Sequence, residues 1–430
     1  MEGSPTSRAC ALALLGQVLG AGGTLDEALE AAFAGAYAGL SRRDRAFARL
    51  LCATVLRRLG EIDAVLARLL ERPLPERAGR LRNVLRLGAA QLLFLGTPAH
   101  AAVDTAVALA GSGARAKGLI NAVLRRIARE GSTLTAGHDA ARLNTPAWLW
   151  ASWRAAYGED VARAIAQAHL EEPPLDLSVK GAAAAWAGRL EAALLPTGSL
   201  RRRTGGEVSK LPGYADGAWW IQDAAATLPA RLLGNVEGKR VVDLCAAPGG
   251  KTAQLAAAGA RVTALDRSGP RLVRLEANLA RLGLGAETVV ADATEWRPEG
   301  AVEAILLDAP CSGTGIIRRH PDIARLKGER DVTRLAQLQA RLLAAAAAYL
   351  APGGVLVYCA CSLEPEECER QVAALLEREP ALSRRPVSAA ELDGQAELIT
   401  PAGDLRTLPS HWPELGGLDG FYAARLERRA

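Results

Sequence analysis

The sequence is poor in aromatic residues: Phe, Trp and Tyr together make up 4% of its 430 residues. Half of the chain is hydrophobic, with Ala and Leu abundant, so its cores are expected to be aliphatic and largely helical. The five histidines are scattered and no Cys-x-x-Cys pair occurs, which argues against a structural zinc or any other bound metal. Seven cysteines, an odd number without a disulfide-like spacing, read as reduced thiols of a cytoplasmic protein. Long membrane-spanning runs are also missing. Residues 9–23 carry no charge, but Glu2 precedes them and Gln17 interrupts them, so they read as a first helix rather than a signal sequence. Residues 342–363 are uncharged too, but Ala351-Pro352-Gly353-Gly354 divides them into a helix end and a strand.

What is present divides the chain into three parts. Residues 1–140 hold 18 Lys and Arg against 12 Asp and Glu, leaving the rest of the chain nearly neutral, so a basic module for an anionic partner, nucleic acid above all, sits at the N-terminal end. Apolar residues recur there at helical steps over 47–59, 78–95 and 117–129, which predicts an all-α domain over 1–135. After a polar linker, 146–222 reads as a small α/β segment with a strand at Leu175–Val179 and a basic turn at Arg201–Arg203. From 223 to 430 strands alternate with helices. The strands are expected at Arg240–Leu244, Arg261–Leu265, Glu287–Ala291, Ala304–Leu307 and Val355–Tyr358, with a final edge strand at 420–426. The intervening helices are expected at 249–258, 270–282 and 331–350. The fold class is α/β: a Rossmann-like parallel sheet covered on both faces.

The first of these strands ends in Asp243-Leu244-Cys245-Ala246-Ala247-Pro248-Gly249-Gly250-Lys251-Thr252, at the turn where such sheets bind ligands. A phosphate-binding P-loop would need glycine where Cys245 stands, and a dinucleotide fingerprint would need spaced glycines. An adenosyl cofactor without phosphate needs only close backbone approach and carboxylates. Asp266, Asp292 and Asp308 end three successive strands and supply them. A lone strand-end Asp is more often a helix cap, but three at one sheet edge favour a ligand site.

Two cysteine loops share that edge, Asp308-Ala309-Pro310-Cys311-Ser312-Gly313-Thr314-Gly315 and Cys359-Ala360-Cys361-Ser362-Leu363-Glu364-Pro365-Glu366-Glu367. A lone cysteine is more often a small buried hydrophobe. Paired thiols beside a cofactor loop suggest covalent chemistry on a pyrimidine: a thiolate adding to C6 turns C5 into an enamine-like carbon able to accept a methyl group.

With these motifs the sequence resembles the NOL/NOP2/Sun family of RNA cytosine-C5 methyltransferases over nearly its whole length. Residues 243–251, 308–315 with Arg318-Arg319-His320-Pro321-Asp322, and 361–367 match the family's cofactor, fourth and sixth motifs. Ser41-Arg42-Arg43-Asp44-Arg45 and Asn121-Ala122-Val123-Leu124-Arg125-Arg126 resemble a NusB-like RNA-binding domain. The resemblance implies S-adenosylmethionine as cofactor, held by Cys245, Ala246, Ala247, Pro248, Gly249, Gly250, Lys251, Asp266, Asp292 and Asp308. It implies Cys361 as nucleophile, Cys311 as an aid to proton removal and product release, and Asp308 as a support for the cytosine ring. The substrate it implies is small-subunit ribosomal RNA at cytosine 967, methylated by a monomer in the cytoplasm. Where the family usually has Thr before the nucleophile this chain has Ala360, and Cys359 stands as a rival thiol. Leu177-Ser178-Val179-Lys180 stands where Arg-Val-Asn is common. Three other readings remain: a transfer RNA methyltransferase, opposed by the NusB-like helices; a non-catalytic RNA-binding factor, opposed by the intact cofactor loop and thiols; and a small-molecule Rossmann enzyme, opposed by the basic N-terminal third.

Overall fold

The computed structural model describes residues 6–111, 113–203 and 206–430; Glu2, weighed above, lies outside them. The chain forms two compact units, one of residues up to Glu171 together with Ile317–Gly328, the other of Glu172–Ile316 and Glu329–Ala430. The stretch 146–222 is thus shared: its helices Ala147–Tyr157 and Glu159–Ala168 fall in the first unit and its strands in the second.

The first unit is helical throughout its described residues. The periodic apolar runs become the helices Arg42–Arg57 and Leu59–Leu69, Gly79–Leu93 and Ala114–Glu130, and the uncharged 9–23 becomes Ser7–Gly16 with a π-helical turn at Gln17–Ala21. Aliphatic residues at three- and four-residue steps, among them Leu51, Val55, Ile62, Leu85 and Leu124, close one core. Side chains cap some of the helix starts. Thr24 and Glu27 form a capping box, and Ser41 accepts from the Asp44 N–H. Ile317–Gly328 packs into this unit through hydrogen bonds. Leu25 N–H donates to Asp322 (3.0 Å), and the Arg57 guanidinium donates to the Arg318 carbonyl (2.9 Å). His320 lies 3.4 Å from Asp26.

The second unit holds twelve strands among its described residues: β1 Leu175–Val179, β2 Ala193–Leu194, β3 Leu200–Arg202, β4 Trp219–Ile221, β5 Arg240–Leu244, β6 Arg261–Asp266, β7 Glu287–Val290, β8 Val302–Asp308, β9 Leu350–Ala360, β10 Leu382–Arg384, β11 Leu405–Thr407 and β12 Phe421–Arg428. Strands β1–β4 form a small antiparallel sheet ordered β2-β3-β1-β4. The large sheet runs β10-β12-β9-β8-β5-β6-β7, with β11 beside β12. Its five central and right-hand strands, β9, β8, β5, β6 and β7, are parallel, and the helices Gly250–Ala257, Gly269–Leu282 and Glu329–Tyr349 connect them. Chain order reverses between β5 and β8, which opens a crevice at the carboxyl ends of those two strands.

Three expectations are corrected. The terminal strand is not at the edge: β12 lies antiparallel between β9 and β10, and its residues Phe421 through Leu426 are buried. Ala351-Pro352-Gly353-Gly354 lies inside β9, where a register shift against β8 between Val302 and Ala304 absorbs it. Arg201–Arg203 is not a basic turn: Arg201 and Arg202 belong to β3, and of the three only Arg203 is exposed. Arg201, in β3, is 2% exposed and clamps Asp176 with two bonds (2.7 and 2.6 Å) while donating to the Leu415 and Gly417 carbonyls.

Candidate active site

The loop after β5 approaches its neighbours with its backbone. Cys245 has φ 61° and Gly249 φ 100°, and a Cβ on Gly249 would stand 2.6 Å from Leu275 Cγ, so glycine is required there twice over. Ala246 N–H donates to Leu265 O (3.0 Å), and Ala247 N–H to Asp266 (3.2 Å) across the cis Ala247-Pro248 turn. Asp266 also accepts from Ser268 N–H (2.9 Å), and Arg271 donates to the Ala247 carbonyl. Burial pushes the Cys245 thiol up to about 12, with Asp266 adding to the effect.

Lys251 and Thr252 show why this turn is not a phosphate cradle. The Lys251 ammonium bonds Asp308 at 2.7 Å and lies 4.9 Å from the Phe421 ring centre, while Thr252 donates to the buried Asp243 at 2.7 Å. The two side chains that a P-loop gives to phosphate and magnesium are committed to strand-end carboxylates. Burial is the largest influence on Lys251 and works against its charge, but Asp308 together with Cys359 and Cys361 outweighs it and keeps the ammonium protonated. What remains is an edge of acceptors. Asp266 ends β6, Asp308 ends β8, and the exposed Asp292 follows β7, held below the usual carboxylate range by hydrogen bonds from Thr294. Backbone that can be approached closely, carboxylates for hydroxyl and amine donors, and negative charge toward a sulfonium fit an adenosyl cofactor.

The two cysteine loops meet beside this edge. Cys311 and Cys361, both half-buried, have their sulfurs 3.3 Å apart. Their hydrogen bond, and burial after it, hold the Cys311 thiol well above its usual range. Cys359 differs: it is fully buried, donates to Asp308 at 3.4 Å, and is kept protonated by burial and then by that carboxylate. Backbone bonds register the loops: Gly315 N–H donates to Cys361 O (3.0 Å), Gly420 N–H to Gly315 O (2.8 Å), and Ala309 N–H to Cys359 O (2.9 Å). Lys251, Asp308 and Cys359 thus form one bonded group and Cys311 and Cys361 a second, held next to each other by the backbone bonds between the loops, with Asp266 and Asp292 farther along the same sheet edge.

The sequence reading missed several members of this site. Glu367 is fully buried and accepts from Ser312 and Ser362, and Gln339 reaches it from the helix Glu329–Tyr349. A Cβ on Gly250 would lie 3.8 Å from Gln222, which accepts from Ser178 and Trp220. The repeated Cys-Ser pairs at 311–312 and 361–362 were the available signal for Glu367; Gln222 offered none. The Arg318–Asp322 continuation of the fourth motif packs in the other unit.

Comparison with known proteins agrees with this geometry. A family model described as 16S rRNA methyltransferase RsmB/F matches residues 230–427, and the NusB family model matches residues 5–129. The ribosomal RNA small subunit methyltransferase B of Klebsiella pneumoniae is 37% identical over 410 aligned positions, covering 91% of each chain. That of Vibrio cholerae is 37% identical over 442, covering 98% of this chain and 97% of its own. The crystal structure of a methyltransferase homolog protein from Pyrococcus horikoshii, 26% identical, superposes with a TM-score of 0.54 over 65% of this chain and 93% of its own. The chain belongs to the ribosomal RNA small subunit methyltransferase B family, S-adenosylmethionine-dependent RNA methyltransferases that join NusB-family helices to a Rossmann-like fold.

Proposed function

We propose that this chain methylates C5 of a cytosine in small-subunit ribosomal RNA, at the position the family resemblance implies, cytosine 967, through a transient bond between Cys361 and C6 of the base. One observation carries this reading. The partly exposed Cys361 sulfur lies 3.3 Å from Cys311, whereas Cys359, two residues earlier, is fully buried.

The steps follow from the side chains. Cys361 acts as thiolate, with the Lys251 ammonium, paired to Asp308, as the neighbouring positive charge. Its sulfur bonds to C6 of a base taken out of its stack, placing electron density on C5. S-adenosylmethionine, when bound, supplies the electrophilic methyl group. Asp308, 2.7 Å from Lys251, orients the cytosine ring by hydrogen bonding. Cys311 aids transfer of the C5 proton to a base, the freed electron pair restores the C5–C6 double bond, and the Cys361 sulfur leaves C6 as thiolate, releasing the product. Residues 245–251, Asp266 and Asp292 hold the cofactor. The basic first unit contacts RNA, and the protein works as a monomer in the cytoplasm, where its thiols stay reduced.

The test is methyl transfer to unmethylated small-subunit RNA by wild type and Cys361→Ala, with 5-methylcytosine mapped by bisulfite sequencing. The variant should lose transfer at the single site that wild type modifies. A variant that keeps its rate would overturn the assignment of the nucleophile.

A further inference from the structure

Cys311 and Cys361 are each followed by serine, and both serines turn to the same carboxylate. Glu367 accepts from Ser312 N–H at 2.8 Å, from the Ser312 hydroxyl, from the Ser362 hydroxyl at 2.6 Å and from the Gln339 amide at 3.2 Å. An ionised carboxylate is acceptor-only with about four lone-pair sites, so these donors fill it. They come from the loop after β8, the loop after β9 and the helix Glu329–Tyr349. Glu367, Ser362 and Gln339 are fully buried and Ser312 nearly so. The Tyr358 hydroxyl in turn fixes the Glu367 carbonyl at 2.5 Å.

The two loops are also tied by Ala309 N–H to Cys359 O on the strand side of the sulfurs, by Gly315 N–H to Cys361 O and Leu363 N–H to the Thr314 hydroxyl (2.9 Å) beyond them, and by the Ser312 and Ser362 hydroxyls, 3.3 Å apart, which Glu367 holds together. We infer that Glu367 is a positioning residue: by clamping Ser312 and Ser362 it sets the 3.3 Å spacing of Cys311 and Cys361, and with it the presentation of both thiols to the base. Fully buried, it acts through the two loops. A buried carboxylate is unfavourable unless its donors are present, and here those donors belong to the two thiol-bearing loops. Glutamine keeps the shape but removes the charge that strengthens these bonds, and its NH2 group forces the Ser312 and Ser362 hydroxyls to turn from donors into acceptors, so the clamp weakens. The inference rests on the Cys361 reading above, and the test separates the two.

Full-length wild type, Glu367→Gln, and a control, Glu391→Gln, which removes the charge from an ion pair with Arg425 elsewhere in the same unit, are titrated with phenylarsine oxide, which bridges closely spaced thiols. Capture by wild type should vanish in Cys311→Ser and persist in Cys359→Ser. Glu367→Gln should weaken it about tenfold, the size expected for losing one hydrogen bond to a charged group, while Glu391→Gln leaves it unchanged. On unmethylated RNA, Glu367→Gln should lower kcat about 10²-fold with KM nearly constant, as for a misplaced reacting group. Ser312→Ala and Ser362→Ala each remove one arm and should shift arsenical capture and kcat in the same direction, which covers the case of a Glu367 variant that does not fold. Wild-type capture and kcat in Glu367→Gln, or in both serine variants, would overturn the inference. If arsenical capture responds as stated but no variant changes methyl transfer, the clamp stands and the Cys361 reading fails.

Discussion

Replacing Gly315 by alanine tests whether the two cysteine loops act as one rigid frame. The Gly315 N–H bonds the carbonyl of Cys361, and its own carbonyl accepts from Gly420. A Cβ there would stand 2.0 Å from Gly420 O and 2.7 Å from Gly420 C, whereas ordinary contact begins at 3.4 Å. The obstacle is backbone, so no rotamer relieves it, and the Gly420 segment or the Gly315 loop must move by about 1.4 Å. Overpacking of this kind costs about 1–3 kcal/mol. For a domain of this size that lowers Tm by roughly 2–12 °C. Because the displaced group holds the Cys361 carbonyl, the rate should fall about 10²-fold even well below the new Tm. Calorimetry and single-turnover methyl transfer at 20–25 °C below melting, about where wild type is fully folded, separate the two effects. A Gly315→Ala protein that melts and reacts like wild type would refute the claim that close backbone approach sets the thiol geometry.

Cys311→Ala should accumulate a covalent protein–RNA complex, seen as a slow band on a denaturing gel; absence of the band would remove Cys311 from product release. Gly249→Ala, with its Cβ 2.6 Å from Leu275 Cγ and its backbone at φ 100°, should weaken S-adenosylmethionine binding by calorimetry, and wild-type affinity would contradict the cofactor-loop assignment. Burial holds the Asp243 carboxyl up at about 7, against a usual 3.8. The folded protein thus keeps a proton that the unfolded chain has released, so this group makes stability fall as pH rises between those two values. Asp243→Asn should flatten that part of the denaturant-melt profile, and an unchanged slope would count against a protonated Asp243.

The parallel core was legible because β5, β6 and β8 are short apolar runs punctuated by Gly and Pro, and because β6 and β8 end in Asp at the crevice. The left half of the sheet was not. β10 and β11 are three residues each, and β12 takes its interior place through antiparallel pairing with strands far away in sequence, which periodicity does not record. Pro352 and the two glycines after it read as a break, although a register shift lets β9 pass through them. The candidate site was legible at the thiols and the cofactor loop, whose residue types carry chemistry. It was not legible at Glu367, where the function lies in convergence of two loops, nor at Arg201, whose charge read as surface until Asp176 and two carbonyls enclosed it. Likewise, nothing local in Arg318–Asp322 marks a segment that packs with helices some three hundred residues earlier in the chain.

The central claim is that Cys361, and not Cys359, bonds to the base. Incubating the protein and S-adenosylmethionine with RNA containing 5-fluorocytosine at the target position, which blocks release, followed by proteolysis and mass spectrometry of the cross-linked peptide, tests it most directly. The fragment ions should carry the nucleotide on Cys361. A nucleotide on Cys359, or a target RNA recovered without any attached peptide, would contradict it.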